Sequence, residues 1–366
     1  MGSSSKKILV ISNMYPSDDS PTYGIFVKNQ VEAIKQYNHQ VDIAVVKDPR
    51  MGKLFVLKKY LIWFLKVISI LLFKGRKYDI IHAHYVFPSG LFGLLFKKLY
   101  GTKLVVTAHG GDIDKMSKKG PFFFNQTKNI LKKANHVIAV GEELKREINE
   151  TFGIEPEKIS VLNMGVNREV FKPIEKDKAK VELNQPLDKF SVLFVGNYIK
   201  AKGLIELLDA YNMLKKKYPF IELHLIGATK QEEFKKELDE KIESEQIKDV
   251  KIHSTKNQQQ LAKWMAAADL FVLPSYIEGF GLVALEAMSV RTPVVGSKVG
   301  GLAYLLQDGS GVLVEAQNTD SLRKGMENII TNKDLQKQLI DKGEEKAQEN
   351  DQRILLNKLF TIYEKL

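Results

Sequence analysis

The sequence predicts an α/β protein of two doubly wound parallel sheets in series. Three observations carry this. Short apolar runs alternate with helical stretches along the whole chain, the rhythm breaks once around Arg168 to Asp188, and 366 residues exceed what one hydrophobic core usually serves. In the first half the runs are Lys7–Ser12, Val41–Val46, Ile80–His84, Leu104–Ala108 and His136–Val140. The irregular stretch carries Pro173 and Pro186 and reads as a linker. The rhythm restarts at Ser191–Gly196, Glu222–Gly227, Val250–Ser254, Leu270–Pro274, Thr292–Gly296 and Gly311–Val314. Two such domains place the default site in a cleft between them.

Composition narrows the chemistry. The chain has 44% hydrophobic and 27% charged residues, the balance of a folded protein, and no cysteine, which excludes disulfides, thiolate metal sites and a cysteine nucleophile. The apolar run Ile8 to Ile11 is too short for a signal-peptide core and Gly2 to Ser5 reads as an appended tag, so an unsecreted, cytoplasmic protein is expected. The net charge of +11 is uneven. Residues 1–180 hold 30 Lys and Arg against 17 Asp and Glu, whereas residues 181–366 hold 25 against 27. The first half is therefore expected to face something anionic.

The segment Arg50–Lys77 stands out, with eight basic residues, no acidic one, and apolar residues such as Leu54, Phe55, Trp63, Phe64, Ile68 and Phe73 between them. Lys66 interrupts the apolar run, which is short of the ~20 residues a membrane span needs. A helix here carries a narrow basic stripe on a broad apolar surface, the pattern of an interfacial helix on anionic lipid. Lys58, Lys59, Trp63, Lys66 and Lys74 are the expected membrane contacts.

The second half carries the most specific residues. In Pro274-Ser-Tyr-Ile-Glu278-Gly-Phe-Gly-Leu-Val-Ala-Leu-Glu286 two carboxylates lie eight apart, beginning after an apolar strand and running into a helix. Backbone amides of Gly279 to Val283 at that helix start suit a phosphate or a polar sugar. Carboxylates repel phosphate, so Glu278 and Glu286 make sense aimed at hydroxyls. The segment Gly196-Asn197-Tyr-Ile-Lys200-Ala-Lys202-Gly203 opens the same half at a strand-to-helix switch, where Lys200 or Lys202 can reach a diphosphate. His82 and His84 stand two apart on one strand and are expected on opposite faces, unable to chelate one ion together.

Taken in order, these elements resemble the family-four retaining glycosyltransferases of GT-B architecture along nearly the whole chain. The matching residues are Tyr23-Gly24; Asp79-Ile-Ile-His-Ala-His84; Thr107-Ala-His109-Gly-Gly-Asp112; Val161-Leu-Asn163-Met-Gly165; Phe171-Lys-Pro173; Val195-Gly196 with Lys202-Gly203; Ala267-Ala-Asp269; Glu278 to Glu286; and Val299-Gly300-Gly301. The chain also looks similar, more loosely, to bacterial surface-polysaccharide and teichuronic-acid transferases. The resemblance implies two Rossmann-like domains facing each other across a cleft. Residues 1–170 would bind the acceptor, 171–187 would link, 188–345 would bind the nucleotide sugar, and 346–366 would form a helix packing back towards the first domain. It assigns Lys202 to the donor diphosphate, Glu286 to ribose hydroxyls, and Glu278 with the amides of Phe280, Gly281 and Leu282 to the transferred sugar. Gly196, Asn197 and Gly24 would lie beside the donor, His109 would reach its sugar, and Tyr23, Gly24, His109 and Asp112 would line the acceptor side.

The implied activity is transfer of a hexosyl or hexosaminyl group with retention, from a nucleotide sugar, UDP favoured, to a glycan or lipid-linked acceptor of the cell surface. The enzyme would sit peripherally on the inner face of the cell membrane. No cofactor is expected; Asp112-Ile-Asp114 has the spacing of a metal signature but lies in a first-domain loop where the family holds no metal. Asn197 stands where the family usually has Arg, leaving Lys202 as the main cation. A nucleotide-sugar epimerase is the rival within the fold. A nucleic-acid-binding protein is the rival outside it, and no reader element or stacking platform supports that class.

Overall fold

The computed structural model describes residues 5–50 and 52–366; residues 2–4 of the suspected tag, and Met51 within the basic segment, lie outside them. The chain divides into two units. One comprises residues up to Met164 together with Arg353–Leu366, the other Gly165–Gln352.

The first unit is built from β1 (Lys7–Ser12), α1 (Ile25–Gln36), β2 (Gln40–Val45), α2 (Lys53–Lys74), β3 (Ile80–His84), α3 (Ser89–Tyr100), β4 (Lys103–Ala108), α4 (Pro121–Lys133), β5 (His136–Ala139), α5 (Glu142–Phe152) and β6 (Ile159–Val161). The strands pair in parallel in the order β2-β1-β3-β4-β5-β6. Residues such as Ile8 to Ile11 are buried throughout because helices cover both sheet faces, so the strands read as continuous apolar runs. Only β6, three residues long, escapes the sequence reading.

Helices α2 to α5 share one face of this sheet. Trp63, Val67 and Leu71 of α2, Phe92 and Phe96 of α3, Ile130 and Leu131 of α4 and Leu144 and Ile148 of α5 form one core with alternate residues of the strands. Helix α2 buries fully only that i, i+4, i+8 stripe, with Tyr60, Ile68 and Ile70 partly buried beside it, while Leu54, Leu57, Leu61, Ile62, Leu65, Leu72 and Phe73 remain outside.

The second unit comprises α6 (Lys176–Glu182), β7 (Phe190–Val195), α7 (Leu204–Lys217), β8 (Ile221–Ile226), α8 (Glu232–Ser244), β9 (Val250–His253), α9 (Gln258–Ala267), β10 (Leu270–Leu273), α10 (Leu282–Ser289), β11 (Val294–Ser297), α11 (Gly300–Leu306), β12 (Val312–Val314), α12 (Thr319–Thr331) and α13 (Lys333–Glu349). Its parallel order is β12-β11-β10-β7-β8-β9. The stretch 171–187, expected to link the domains, folds into this unit. Lys180 of α6 is buried and donates to the Asp269 carboxylate at 2.9 Å, while Phe171 lies in the core and its carbonyl accepts from Ser289 Oγ.

The last helix, α14 (Gln352–Glu364), belongs to the first unit. Leu355, Leu356, Leu359, Phe360 and Tyr363 pack with Ile8, Val10, Val31 and Ile34 on the sheet face that α1 occupies. At ~1.5–3 kcal/mol per buried side chain, this contact holds α14 on that face.

Candidate functional site

Each unit gathers polar side chains at the C-terminal edge of its sheet, where parallel strands hand over to helices. In the second unit the edge is shaped by backbone contacts that only glycine permits. Gly203 has φ +67 and a Cβ there would lie 2.0 Å from the Pro274 carbonyl oxygen; a Cβ on Gly301 would lie 2.2 Å from the Gly279 oxygen. Hydrogen bonds tie the same segments: Tyr276 N donates to Ala201 O at 2.9 Å, and Gly301 N to Gly279 O at 3.1 Å. The turn before α7, the loop before α10 and the start of α11 are thereby held together.

This packing brings Lys202 and Glu278 into contact. Lys202 Nζ donates to Glu278 Oε2 at 2.6 Å, and Ser275 Oγ donates to the same oxygen at 3.1 Å. Both charged groups keep an exposed fraction, 21% and 16%, so the pair is within reach of a ligand. Lys200 is exposed, with its backbone amide donating to Gln231 Oε1, and Asn197 is exposed beside partly buried Gly196. Lys202 is therefore the lysine that points at Glu278. Phe280 is buried, Gly281 caps α10 with φ +85, and Leu282 begins the helix. Two turns on, Glu286 is partly buried, and burial pushes its carboxyl up to about 8.

In the first unit, Gly24 opens α1 with φ +70, tight against the Met14 backbone, and Tyr23 Oη donates to Asn13 O at 3.2 Å. Burial raises the Tyr23 hydroxyl to about 12. His109 follows β4, and its ring packs against Phe26 at 5.0 Å and Tyr85 at 4.6 Å. Asp112, expected on the acceptor side, is buried and occupied. Its two oxygens accept from the amides of Val86 at 2.7 Å and His109 at 3.0 Å, so it fixes the two loops and is not open to an acceptor. Asp114 turns elsewhere, against Glu147, and burial together with that carboxylate lifts it to about 7. No group of three or more metal-ligating side chains occurs among the described residues.

The histidines correct the sequence reading. His82 and His84 lie on the same face, with rings stacked at 4.4 Å, because side chains alternate with period two along a strand and residues two apart share a side. His84 Nδ1 lies 3.1 Å from His109 Nε2, while His82 joins Thr107 Oγ1 at 2.7 Å and Tyr363 Oη at 2.6 Å. Burial lowers the basicity of all three rings, His82 and His109 to about 3, so at neutral pH each is an uncharged hydrogen-bonding group. Tyr85, Phe26 and Tyr363 join the site without being marked by the sequence reading, and His84, weighed there only as an ion ligand, joins it through its contact with His109; Tyr363 offers no sequence signal.

The expected membrane residues divide. Trp63 is 2% exposed and its indole donates to Ala44 O at 2.8 Å, so it anchors α2 inward, contrary to expectation. Lys59 donates to the carbonyls of Asp48 and Arg50. Lys58, Lys66 and Lys74 are exposed. No helix among the described residues is long and apolar enough to cross a membrane.

Comparison with known proteins decides the family. A model of Glycosyltransferase Family 4 matches residues 24–170, and one of Glycosyl transferases group 1 matches 175–346. An uncharacterized glycosyltransferase, MJ1178, of Methanocaldococcus jannaschii is 30% identical over 270 residues, 73% of this chain and 70% of that one. This chain belongs to the family 4 glycosyltransferases. This glycosyltransferase is also 33% identical over 256 residues to the D-inositol 3-phosphate glycosyltransferase of Arthrobacter sp., covering 65% of this chain and 59% of that relative. It is 25% identical over 360 residues to the putative teichuronic acid biosynthesis glycosyltransferase TuaC of Bacillus subtilis, covering 87% and 88%. Its fold matches that of Anabaena HepE, solved in complex with UDP-glucose, with a TM-score of 0.79, 20% identity and coverage of 99% and 100%. The two six-stranded units are thus the two Rossmann-like domains of a GT-B glycosyltransferase.

Proposed function

We propose that this glycosyltransferase moves a hexosyl or hexosaminyl group, with retention and without a metal, from a UDP-sugar to a glycan or lipid-linked acceptor in bacterial surface-polysaccharide synthesis, working peripherally on the inner face of the cell membrane. The observation that carries this reading is the Lys202–Glu278 pair at the edge of the second sheet, with Glu278 in the loop that leads into α10, the helix that carries Glu286. A diphosphate brings the charge that Lys202 lacks without its carboxylate partner. A sugar hydroxyl brings the donor that Glu278 then needs. As the bond from sugar to diphosphate breaks, negative charge grows on the departing phosphate, and Lys202 with the amides of residues 280–282 stabilises it.

Glu286 accepts the ribose hydroxyls, and Gly196 and Asn197 leave room for the backbone to approach the donor. In the first unit, His109 acts as a neutral hydrogen-bonding partner for a sugar hydroxyl, with Tyr23 and Gly24 on the acceptor side. Asp112 supports that side by fixing the His109 loop. HepE is solved in complex with UDP-glucose, and the name of TuaC places that relative in teichuronic acid synthesis; both favour this reading over the epimerase. Exposed Lys58, Lys66 and Lys74 on α2, amid its apolar surface, favour an anionic membrane surface as partner.

Donor hydrolysis across UDP-, GDP- and ADP-sugars, with and without lipid extract and with and without EDTA, tests it. UDP-sugar turnover that rises with lipid extract, ignores EDTA and releases the original anomer by NMR is expected. Turnover of GDP- or ADP-sugars alone, inversion, or loss with EDTA would each overturn the matching part.

A further inference from the structure

Helix α2 is not the only apolar surface on its layer. In a parallel sheet every crossover helix starts at the C-terminal edge, so α2, α3 and α4 begin along one rim, the rim that carries the His109 loop. The α2 surface is broad: Leu54 is 83% exposed, Phe73 80%, and Leu57, Leu61, Ile62 and Leu65 more than half. Further along, the sequence Lys115-Met-Ser-Lys118-Lys119-Gly-Pro-Phe122-Phe-Phe leads into α4. Phe124 turns inward and stacks on Phe152 at 5.0 Å, whereas Phe122 is 61% exposed and meets Phe123 and Phe87 edge-on at 5.5 and 6.4 Å. Lys115, Lys118 and Lys119 are exposed beside it, Lys118 within 3.4 Å of Glu147.

We propose that residues 115–122 form a second contact with an anionic bilayer, so that the membrane lies along the rim beside His109 as well as along α2. The inference rests on the reading of α2 as a membrane contact and extends it to the acceptor side. Cations flanking an exposed aromatic ring match an interface in which phosphates lie above an acyl boundary. A second copy of the chain fits poorly, because self-association through this face brings lysine-rich surfaces together. Bilayer contact here delivers a lipid-linked acceptor to the rim without its headgroup leaving the surface.

The test is a single-tryptophan readout in the full chain. Both native tryptophans, Trp63 and Trp264, are buried, so Phe122→Trp adds a separable exposed signal. Vesicles of phosphatidylglycerol and phosphatidylcholine with brominated acyl chains should blue-shift and quench it, and pure phosphatidylcholine should leave it unchanged. Lys115→Gln with Lys119→Gln should weaken vesicle binding about 30-fold, taking roughly one kcal/mol per lysine near an anionic surface, and leave donor hydrolysis in solution unaltered. Vesicle binding with no quenching of Phe122→Trp overturns this second contact and keeps that of α2. Quenching that persists in Lys58→Gln/Lys66→Gln/Lys74→Gln supports it, whatever becomes of α2. No vesicle binding by any form, or a dimer in sedimentation that Phe122→Ser dissolves, overturns it.

Discussion

The two units assemble their polar sites in different ways. In the second, glycines let backbone segments touch, and the contact presents Lys202 to Glu278 across 76 positions with both groups still within reach of solvent. In the first, side chains make the links. Tyr363, His82, His84 and His109 run in a buried line from the last helix to the sheet edge, spanning 281 positions between the first two. The difference teaches where stability and chemistry separate. A backbone-built site tolerates side-chain changes that alter charge alone, whereas a buried polar chain ties its chemistry to the fold, since each lost partner strands another group away from water.

The largest expected effect falls on Lys202. With Asn197 in place of a second cation, Lys202→Ala should cost ~2–4 kcal/mol in the transition state, a turnover fall of roughly 30- to 1,000-fold, with little change in melting temperature. Lys200→Ala should stay within about threefold. Steady-state kinetics on both variants decides, and the reverse pattern would move the leaving-group role to Lys200.

Glu286 should give a smaller, pH-dependent effect. Burial holds its carboxyl at about 8, so it is mostly protonated at neutral pH. Ribose hydroxyls donate best to the ionised form, so donor binding should release a proton. Affinity for UDP-glucose, whose diphosphate does not titrate in this range, should climb about tenfold from about pH 7 to 9 and level off above. Titration calorimetry at several pH values checks this, and Glu286→Gln should flatten the profile.

The smallest effect on turnover, with the clearest effect on stability, belongs to Tyr363→Phe. It leaves His82 Nδ1 buried without its 2.6 Å partner, at a cost of ~1–3 kcal/mol. Urea denaturation should show that loss while turnover changes less than about threefold. An unchanged midpoint would mean that the histidine line does not couple to α14.

Both sheets are legible in the sequence because parallel strands buried on both faces read as bare apolar runs, and only β6, whose Ile159-Ser160-Val161 is broken by a serine, is not. The Lys202–Glu278 edge is legible for a related reason: Gly203, Gly281 and Gly301 mark the close backbone approaches in the sequence itself. The polar edge of the first unit is less so. Asp112 looks like an open carboxylate because nothing in the sequence shows two backbone amides waiting for it, and Tyr363 is one aromatic in a helix. Trp63 reads as a membrane anchor because periodicity alone does not say which stripe of an apolar helix faces the sheet.

The central claim is that a donor diphosphate takes Lys202 from Glu278. Calorimetric titration of UDP into the wild type, Glu278→Gln and Lys202→Ala tests it most directly. Freed of its carboxylate partner, Lys202 in Glu278→Gln should bind UDP about two- to fivefold more tightly than the wild type, the gain expected from removing a competing ion pair, and Lys202→Ala should bind it more weakly. Loss of UDP affinity in Glu278→Gln equal to that in Lys202→Ala would contradict the claim and make the pair a structural clamp.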